Sequence, residues 1–185
     1  MILLFLEFVY IALCLCFCVV LFKLFFIKDY KNYPPYVPTF GKAKKIIFEN
    51  VSLYLKNKKN LTVADPGCGT AVLISRLAKN FPEHSFVGIE WNWLLYHIAK
   101  IRCRRLKNVQ ILYQDFFDYS FKNIDVVICF LLEPLMEKFG AKLKNEMKKG
   151  TLIYSNIFRI PNIKDEKEIK SGSFFTFEKV YVYKI

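Results

Sequence analysis

Asp65-Pro66-Gly67-Cys68-Gly69-Thr70 is the stretch that decides the fold of this 185-residue chain. It follows a short apolar run, residues 61–64, and opens onto residues 72–77, whose apolar side chains recur at helical spacing. The pattern predicts a strand, a tight turn and a helix. Because two glycines flank one residue, the backbone can turn sharply and approach a ligand without a Cβ in the way.

Two carboxylates are placed around this turn. Asp65 ends the first predicted strand, and Glu90 ends the second, 21 residues after Gly69. An acid at the tip of the second strand is where open α/β sheets hold a ribose through its hydroxyls. A dinucleotide motif would need a third glycine where Val72 stands, and Asp65 would repel a pyrophosphate but can hold an ammonium group. The pair predicts a nucleotide-like cofactor with an amino-acid part. An ordinary surface turn is the alternative.

Apolar runs and helical segments alternate along the rest of the chain. Strands are predicted over residues 61–65, 85–90, 109–113, 124–130 and 151–156, and helices over residues 71–80, 92–105 and 133–147. Residues 162–170 are predicted to form a loop, and residues 174–185 an antiparallel edge strand. The alternation predicts the α/β class, with a Rossmann-like, largely parallel sheet covered by helices on both faces.

Residues 1–27 form an apolar segment with only two charges, Glu7 and Lys23. About twenty apolar residues can cross a bilayer as a helix, so we predict a transmembrane anchor over residues 1–27. A Pro-rich, basic juxtamembrane segment, 28–45, and a domain over 46–185 would follow. The whole net charge of +12 lies after residue 27, which predicts a domain on the cytoplasmic or organellar matrix side that also attracts membrane lipids.

The cysteines and histidines do not predict a metal site. The six cysteines are dispersed, no pair of them has metal-ligand spacing joined to histidines, and the chain contains only two histidines. We expect all the thiols to be reduced, and Cys68 to fill space in the glycine turn rather than to act as a nucleophile.

The acid–glycine turn followed by Glu90 resembles the first motif of class I S-adenosylmethionine-dependent methyltransferases. The resemblance implies S-adenosyl-L-methionine as cofactor, with its methionine end lined by Asp65, Gly67, Cys68 and Gly69 and its ribose held by Glu90. It also places Asp115 near the adenine amino group, although a helix cap or turn role is the alternative. Departures from the family pattern are Ala71, Pro66 and the residues 131–133.

The loop after the fourth predicted strand faces the transferred methyl group in such enzymes. There the resemblance implies a substrate channel lined by Phe130 and Pro134. Glu133 is the candidate catalytic residue, because it could orient a substrate amine or accept its proton. A helix-terminus charge favoured by the helix dipole is the alternative role for Glu133.

A narrower resemblance is to the membrane-anchored protein-lysine methyltransferases of the ATP-synthase c subunit and the adenine-nucleotide translocase. It is carried by the apolar span, by Pro35-Tyr36-Val37-Pro38-Thr39 and by the closing strand Val180-Tyr181-Val182-Tyr183. The resemblance implies a lysine substrate at a membrane, and Tyr36, Pro38 and Thr39 folding over the cofactor. A stiff spacer is the alternative for this proline-rich segment. Compared with the seven strands usual in this class, the strands predicted from the sequence are one short.

Other functions remain open from the sequence. A basic run, residues 100–107, could grip the phosphates of an RNA or DNA substrate. Base-amine methyltransferases of this class commonly have an Asp, Asn or Ser, two prolines and an aromatic residue after the fourth strand. Leu132-Glu133-Pro134-Leu135 does not supply that motif. A small-molecule or lipid methyltransferase and a non-catalytic, membrane-tethered binding module are further alternatives.

Overall fold

The computed structural model describes residues 2–26, 41–161, 163–164, 166–170 and 179–185, which fall into two compact units. In the first unit, Met1–Val37, one helix, α1, covers Ile2–Phe26. Over the described residues, the structure shows no helix with both the length and the apolarity that a membrane crossing requires. The anchor predicted for residues 1–27 is therefore not confirmed.

The second unit, Pro38–Ile185, is built on a sheet whose described strands number seven. The strands are β1 (Thr62–Pro66), β2 (Ser85–Glu90), β3 (Val109–Tyr113), β4 (Val126–Cys129), β5 (Leu152–Asn156), β6 (Lys167–Lys170) and β7 (Lys179–Lys184). The helices are α2 (Gly41–Lys56), α3 (Val72–Asn80), α4 (Trp93–Cys103) and α5 (Glu133–Glu146). The predicted alternation of strands and helices is confirmed.

The strand order is β3-β2-β1-β4-β5-β7-β6. The pairs from β3 to β5 are parallel, whereas β7 runs antiparallel between β5 and β6. Parallel strands end at one common edge, so the loops after β1, β2, β3, β4 and β5 open on the same side. The turn after β1 and the acid that ends β2 are thereby brought together.

Three expectations for the far edge were wrong. Residues 174–185 were predicted to form the edge strand, but their described part contains β7, which lies between β5 and β6. The segment 162–170, predicted as a loop, contains β6, and the strand expected to be missing is therefore present. Lys167-Glu168-Ile169-Lys170 is charged because an edge strand avoids pairing with other chains, so its sequence carries little apolar alternation.

Helices cover both faces of the sheet. On one face, which we call the α2 face, α2 and α3 bury Ile47, Val51, Leu55, Ile74 and Leu77 against a cluster that includes Val63, Ile128, Tyr154 and Val180 of the strands. On the other, the α5 face, Met136, Phe139 and Leu143 pack on Ala64, Val127 and Ile153. The helix α2 follows the amphipathic spacing of its sequence and contributes Ala43 to the core.

Candidate functional site

The glycine turn after β1 has an unusual backbone. Gly67 and Gly69 have φ values of 72° and 55°, and Ala71 also has a positive φ of 56°. Such left-handed conformations cost a non-glycine residue about 1–2 kcal/mol, so Ala71 is held there against its preference by its surroundings. Gly67 and Cys68 donate their N–H groups to the Ile89 carbonyl at 2.8 and 3.1 Å, which ties the turn to β2.

Glu90 is buried at the tip of β2, with only 4% of its surface exposed. Its Oε2 accepts the Gly69 N–H at 2.8 Å, and its Oε1 accepts the Asn92 N–H at 2.8 Å. Burial raises the pKa of this carboxyl, and the hydrogen bonds from the backbone oppose the rise. A carboxylate offers about four lone-pair positions, and the backbone N–H groups of Gly69, Trp91 and Asn92 all donate to this one, so it can still accept a ribose hydroxyl.

Asp65 lies in β1 beside the turn, and its side chain is half-buried. Within the part of the chain that the structure describes, its carboxyl has neither a hydrogen bond nor an ion pair. Desolvation, followed by the charge of Glu90, raises the pKa of Asp65 to about 8. An acid without a cation, held next to a second acid, is a suitable partner for an ammonium group because the positive charge relieves both causes of the raised pKa.

Cys68 occupies the turn as a packing residue. Its Sγ lies only 2.9 Å from the position that a Cβ on Gly88 would take, so the bare backbone of Gly88 makes room for the thiol. Burial, with the charges of Asp65 and Glu90, raises the pKa of Cys68 well above its ordinary value. A thiol that resists ionisation is a poor nucleophile, which supports the space-filling role predicted for it.

The segment after β3 uses Asp115 in a turn. Its Oδ1 accepts the Phe117 N–H at 2.8 Å, and its backbone carbonyl accepts the Asp118 N–H at 3.1 Å. Of the two roles that the sequence leaves open for Asp115, the turn role is observed, and the contact with adenine stays a prediction.

The loop after β4 lies against the glycine turn. Leu131 is buried, and its Cδ2 lies 3.3 Å from the position of a Cβ on Gly67. Phe130 is half-buried, whereas Glu133 and Pro134 are exposed in the first turn of α5. The structure thus brings the apolar part of this loop to the turn and places Glu133 where the helix dipole favours a negative charge.

Several residues of this region were missed by sequence reasoning. Asn92 caps α4 by accepting the N–H groups of Leu94 and Leu95, a role that the residue type before an apolar helical run indicates. Arg102 donates to Thr70 Oγ1 at 2.9 Å, and Asn156 is buried at the end of β5. No local sequence pattern predicts the contact of Arg102 with Thr70 or the burial of Asn156. Tyr36, Pro38 and Thr39 lie outside the described residues.

The fold and the site define the class of protein. A parallel sheet with β7 inserted antiparallel between β5 and β6, an acid–glycine turn and a second acid at the tip of β2 characterise the class I methyltransferases. The chain is an S-adenosylmethionine-dependent methyltransferase. The residues present fit this cofactor, because Asp65 has no cation among the residues that the structure describes and Glu90 can still accept a ribose hydroxyl.

Comparison with known proteins gives the family. Residues 65–167 match the model described as the ANTKMT methyltransferase domain. A protein-lysine N-methyltransferase from Saccharolobus islandicus (strain REY15A) is 30% identical over 160 residues, which are 85% of this chain and 97% of the relative. The chain belongs to the ANTKMT methyltransferase domain family.

Solved structures share the fold. An RNA methyltransferase from Salinibacter ruber, in complex with S-adenosyl-L-homocysteine, superposes with a TM-score of 0.69 at 20% identity, covering 80% of this chain and 94% of that chain. The precorrin-6y C5,15-methyltransferase from Geobacter metallireducens GS-15 gives a TM-score of 0.54 at 11% identity, covering 76% and 87%. At these identities the likeness concerns the fold alone.

Proposed function

We propose that this methyltransferase acts on the lysine side chains of protein substrates. The observation that carries the proposal is the relative named protein-lysine N-methyltransferase, matched over 97% of its length. The loop after β4 supports it, because Phe130 and Leu131 offer an apolar surface to the alkyl chain of a lysine. An apolar surrounding also disfavours the charged ammonium, and only the neutral amine can react.

The cofactor supplies one piece of chemistry when it is bound: the amine lone pair forms a bond to the sulfonium methyl, the C–S bond breaks with its electron pair going to sulfur, and the product nitrogen loses a proton to water. The chain's own residues supply positioning, which accounts for most of the acceleration in such a displacement. In this proposal Asp65 holds an ammonium group, Glu90 holds ribose hydroxyls, and Leu131 keeps water away from the turn.

We also propose that the enzyme works at a membrane. The apolar composition of residues 1–27, and the positive charge that lies entirely after them, support association with a bilayer whose lipids are anionic. In this proposal the catalytic domain faces the cytoplasm or the organellar matrix. A wash of isolated membranes with 1 M salt should leave the full-length protein bound. Release by salt alone would show that the protein binds the membrane only through electrostatic attraction.

A nucleic-acid substrate is the second candidate. Lys100, Arg104, Arg105 and Lys107 are exposed at and just after the end of α4, where they could neutralise phosphates. Against it, Leu132, Glu133 and Leu135 stand where base-amine methyltransferases commonly carry a polar residue, a first proline and an aromatic residue. A solvated helix end also accounts for this basic run. We therefore rank a nucleic-acid substrate behind a lysine substrate.

One experiment separates these candidates. The purified full-length chain is incubated with S-adenosylmethionine carrying a radioactive methyl group and with membrane, soluble-protein and RNA fractions of host cells. We expect label that resists nuclease, is lost on proteolysis and appears as methyl-lysine in mass spectrometry. Label that nuclease removes would replace the lysine proposal with the nucleic-acid one.

A further inference from the structure

β5 ends at a buried side-chain amide whose oxygen has no hydrogen-bond donor among the described residues. Asn156 is 2% exposed, and its Oδ1 accepts no hydrogen bond from any residue that the structure describes. Leaving a buried polar atom unpaired costs about 1–3 kcal/mol, so native proteins rarely do it without a reason. The chain therefore holds an acceptor ready at the edge of the sheet where the loops after the parallel strands meet.

The register of the sheet places this amide relative to the glycine turn. Asn156 is the cross-strand partner of Val180, which belongs to the α2-face cluster, so Asn156 lies on that face. Asp65 follows Val63 by two residues in β1, and Val63 belongs to the same cluster. Because Ala64 is level with Val127 and Ile153, Asn156 lies two residues further along its strand than Asp65. The two residues thus share a face, two strands apart, at about 12 Å.

The residue that follows β4, Phe130, starts the loop predicted to face the substrate. Cys129 pairs with Ser155, so Phe130 and Asn156 are the next positions on these neighbouring strands. Phe130 is half-buried and faces the same sheet edge as the glycine turn. Phe130 and Asn156 are therefore neighbours in the register of β4 and β5.

The backbone after Asn156 is held in a strained turn. Ile157 has a φ of 67°, which is rare for a β-branched residue, and the Phe158 N–H donates to the Asn156 carbonyl at 2.8 Å. The Ile157 N–H donates to the Lys179 carbonyl at 2.7 Å, so the turn is fixed to β7. Strain of this kind persists where the surrounding structure enforces it, and it clusters at functional sites.

We infer that Asn156 Oδ1 accepts a hydrogen bond from the substrate amine and orients its lone pair; this rests on the proposed function. An amide oxygen suits the task because it accepts an N–H without favouring the ammonium form, which a carboxylate would stabilise. The loop after β4 carries no such amide, since Leu131, Leu132 and Glu133 stand there. The neighbouring strand supplies it instead.

The test compares Asn156→Ala, Asn156→Asp and Ser52→Ala in the full-length protein. Ser52 Oγ is also buried without a partner among the described residues, but it lies in α2, so Ser52→Ala controls for loss of a buried polar atom. Methyl-lysine formation in a membrane-protein extract is counted by mass spectrometry, and cofactor affinity is measured by calorimetry.

We expect Asn156→Ala to lower kcat about 100-fold while the cofactor Kd stays within about twofold, and Ser52→Ala to leave both unchanged. Asn156→Asp should move the acid limb of the pH–rate profile to higher pH, because the carboxylate stabilises the ammonium. If thermal melts show that Asn156→Ala does not fold, the pH–rate profile of Asn156→Asp is the test of the inference. The inference is overturned if the wild type is active and the kcat of Asn156→Ala lies within threefold of the wild-type value. It is also overturned if the pH–rate profile of Asn156→Asp is the same as that of the wild type. A wild type that forms no methyl-lysine counts against the proposed function instead.

Discussion

The Glu90 carboxylate and the Gly69 N–H are 2.8 Å apart, and their hydrogen bond joins residues 21 positions apart in the chain. The bond links the tip of β2 to the turn after β1. Glu90 is thereby both a candidate ribose ligand and the residue that fixes the shape of the glycine turn. A site whose ligands hold one another in place loses little entropy when the cofactor binds.

Replacing Glu90 by glutamine should damage both roles. The amide keeps one oxygen, so either the Gly69 or the Asn92 N–H faces an NH₂ group and is left without an acceptor. We expect the free energy of unfolding to fall by about 1–3 kcal/mol and the cofactor Kd to rise at least about tenfold. Urea denaturation and calorimetry measure these changes. The exposed Glu137 of α5 gives the control variant Glu137→Gln, which should stay within about 0.5 kcal/mol of the wild type. Equal behaviour of the two variants would contradict the role of Glu90 in the turn.

Asp65 makes the cofactor-free protein sensitive to pH. Its pKa is about 8 in the folded protein against an ordinary value of 3.8. Between these values the folded state keeps a proton that the unfolded chain has lost, so the free energy of unfolding falls as the pH rises from about 4 to about 8. Asp65→Asn removes this penalty. We expect the variant, without cofactor, to be more stable than the wild type by about 1 kcal/mol or more at pH 8, with the difference vanishing near pH 4. Thermal melts across this range check it, and a difference independent of pH would contradict it.

Cofactor binding should release protons from the same carboxyl. At pH 7 most Asp65 carboxyls are protonated, and an ammonium group placed beside them favours ionisation. Calorimetric titrations at pH 7 in buffers of different ionisation enthalpy should report release of up to about one proton for each cofactor bound. With Asp65→Asn the affinity should be too weak to measure, or the release close to zero. Identical heats in all buffers for the wild type would show that Asp65 does not meet the ammonium.

The sequence predicts the glycine turn and both acids because their signals are local. The glycine turn is predicted from two glycines at a fixed spacing, and the end of a strand is predicted from the apolar run that precedes it. Asn156 carries no such signal, since its burial depends on the pairing of β5 with β7, in which its partner is Val180. The strand β6 was also missed. Its residues are mostly charged, as is common in an edge strand, so they do not show the alternation of apolar and polar side chains that predicts a strand. Contacts set by register, such as Arg102 with Thr70, need the assembled sheet.

Gly88 tests the packing beneath the turn. A Cβ at this position would lie 2.9 Å from Cys68 Sγ and 2.8 Å from Ile111 Cδ1. Gly88→Ala should therefore lower the free energy of unfolding by about 1–3 kcal/mol and weaken cofactor binding, because the turn has to shift. Cys68→Ala should restore part of the loss when it is combined with Gly88→Ala, since it removes one of the two clashes. Urea denaturation of both single variants and the double variant gives the coupling. Strictly additive effects would show that the thiol does not press on this position.

Glu133 provides the last test, because its exposure separates two roles that the sequence leaves open. A carboxylate in water at the first turn of α5 interacts with the helix dipole by about 0.3–1 kcal/mol, and water competes for any proton it would accept. We expect Glu133→Gln to lower kcat less than about threefold and to cost stability only within that range, with Glu137→Gln on the same helix as the matched control. Steady-state measurements of kcat across the pH range test which role Glu133 has. A loss of kcat of tenfold or more, together with disappearance of the acid limb of the pH–rate profile, would make Glu133 the proton acceptor. Positioning of the amine would then have to come from the β4 loop rather than from the strand beside it.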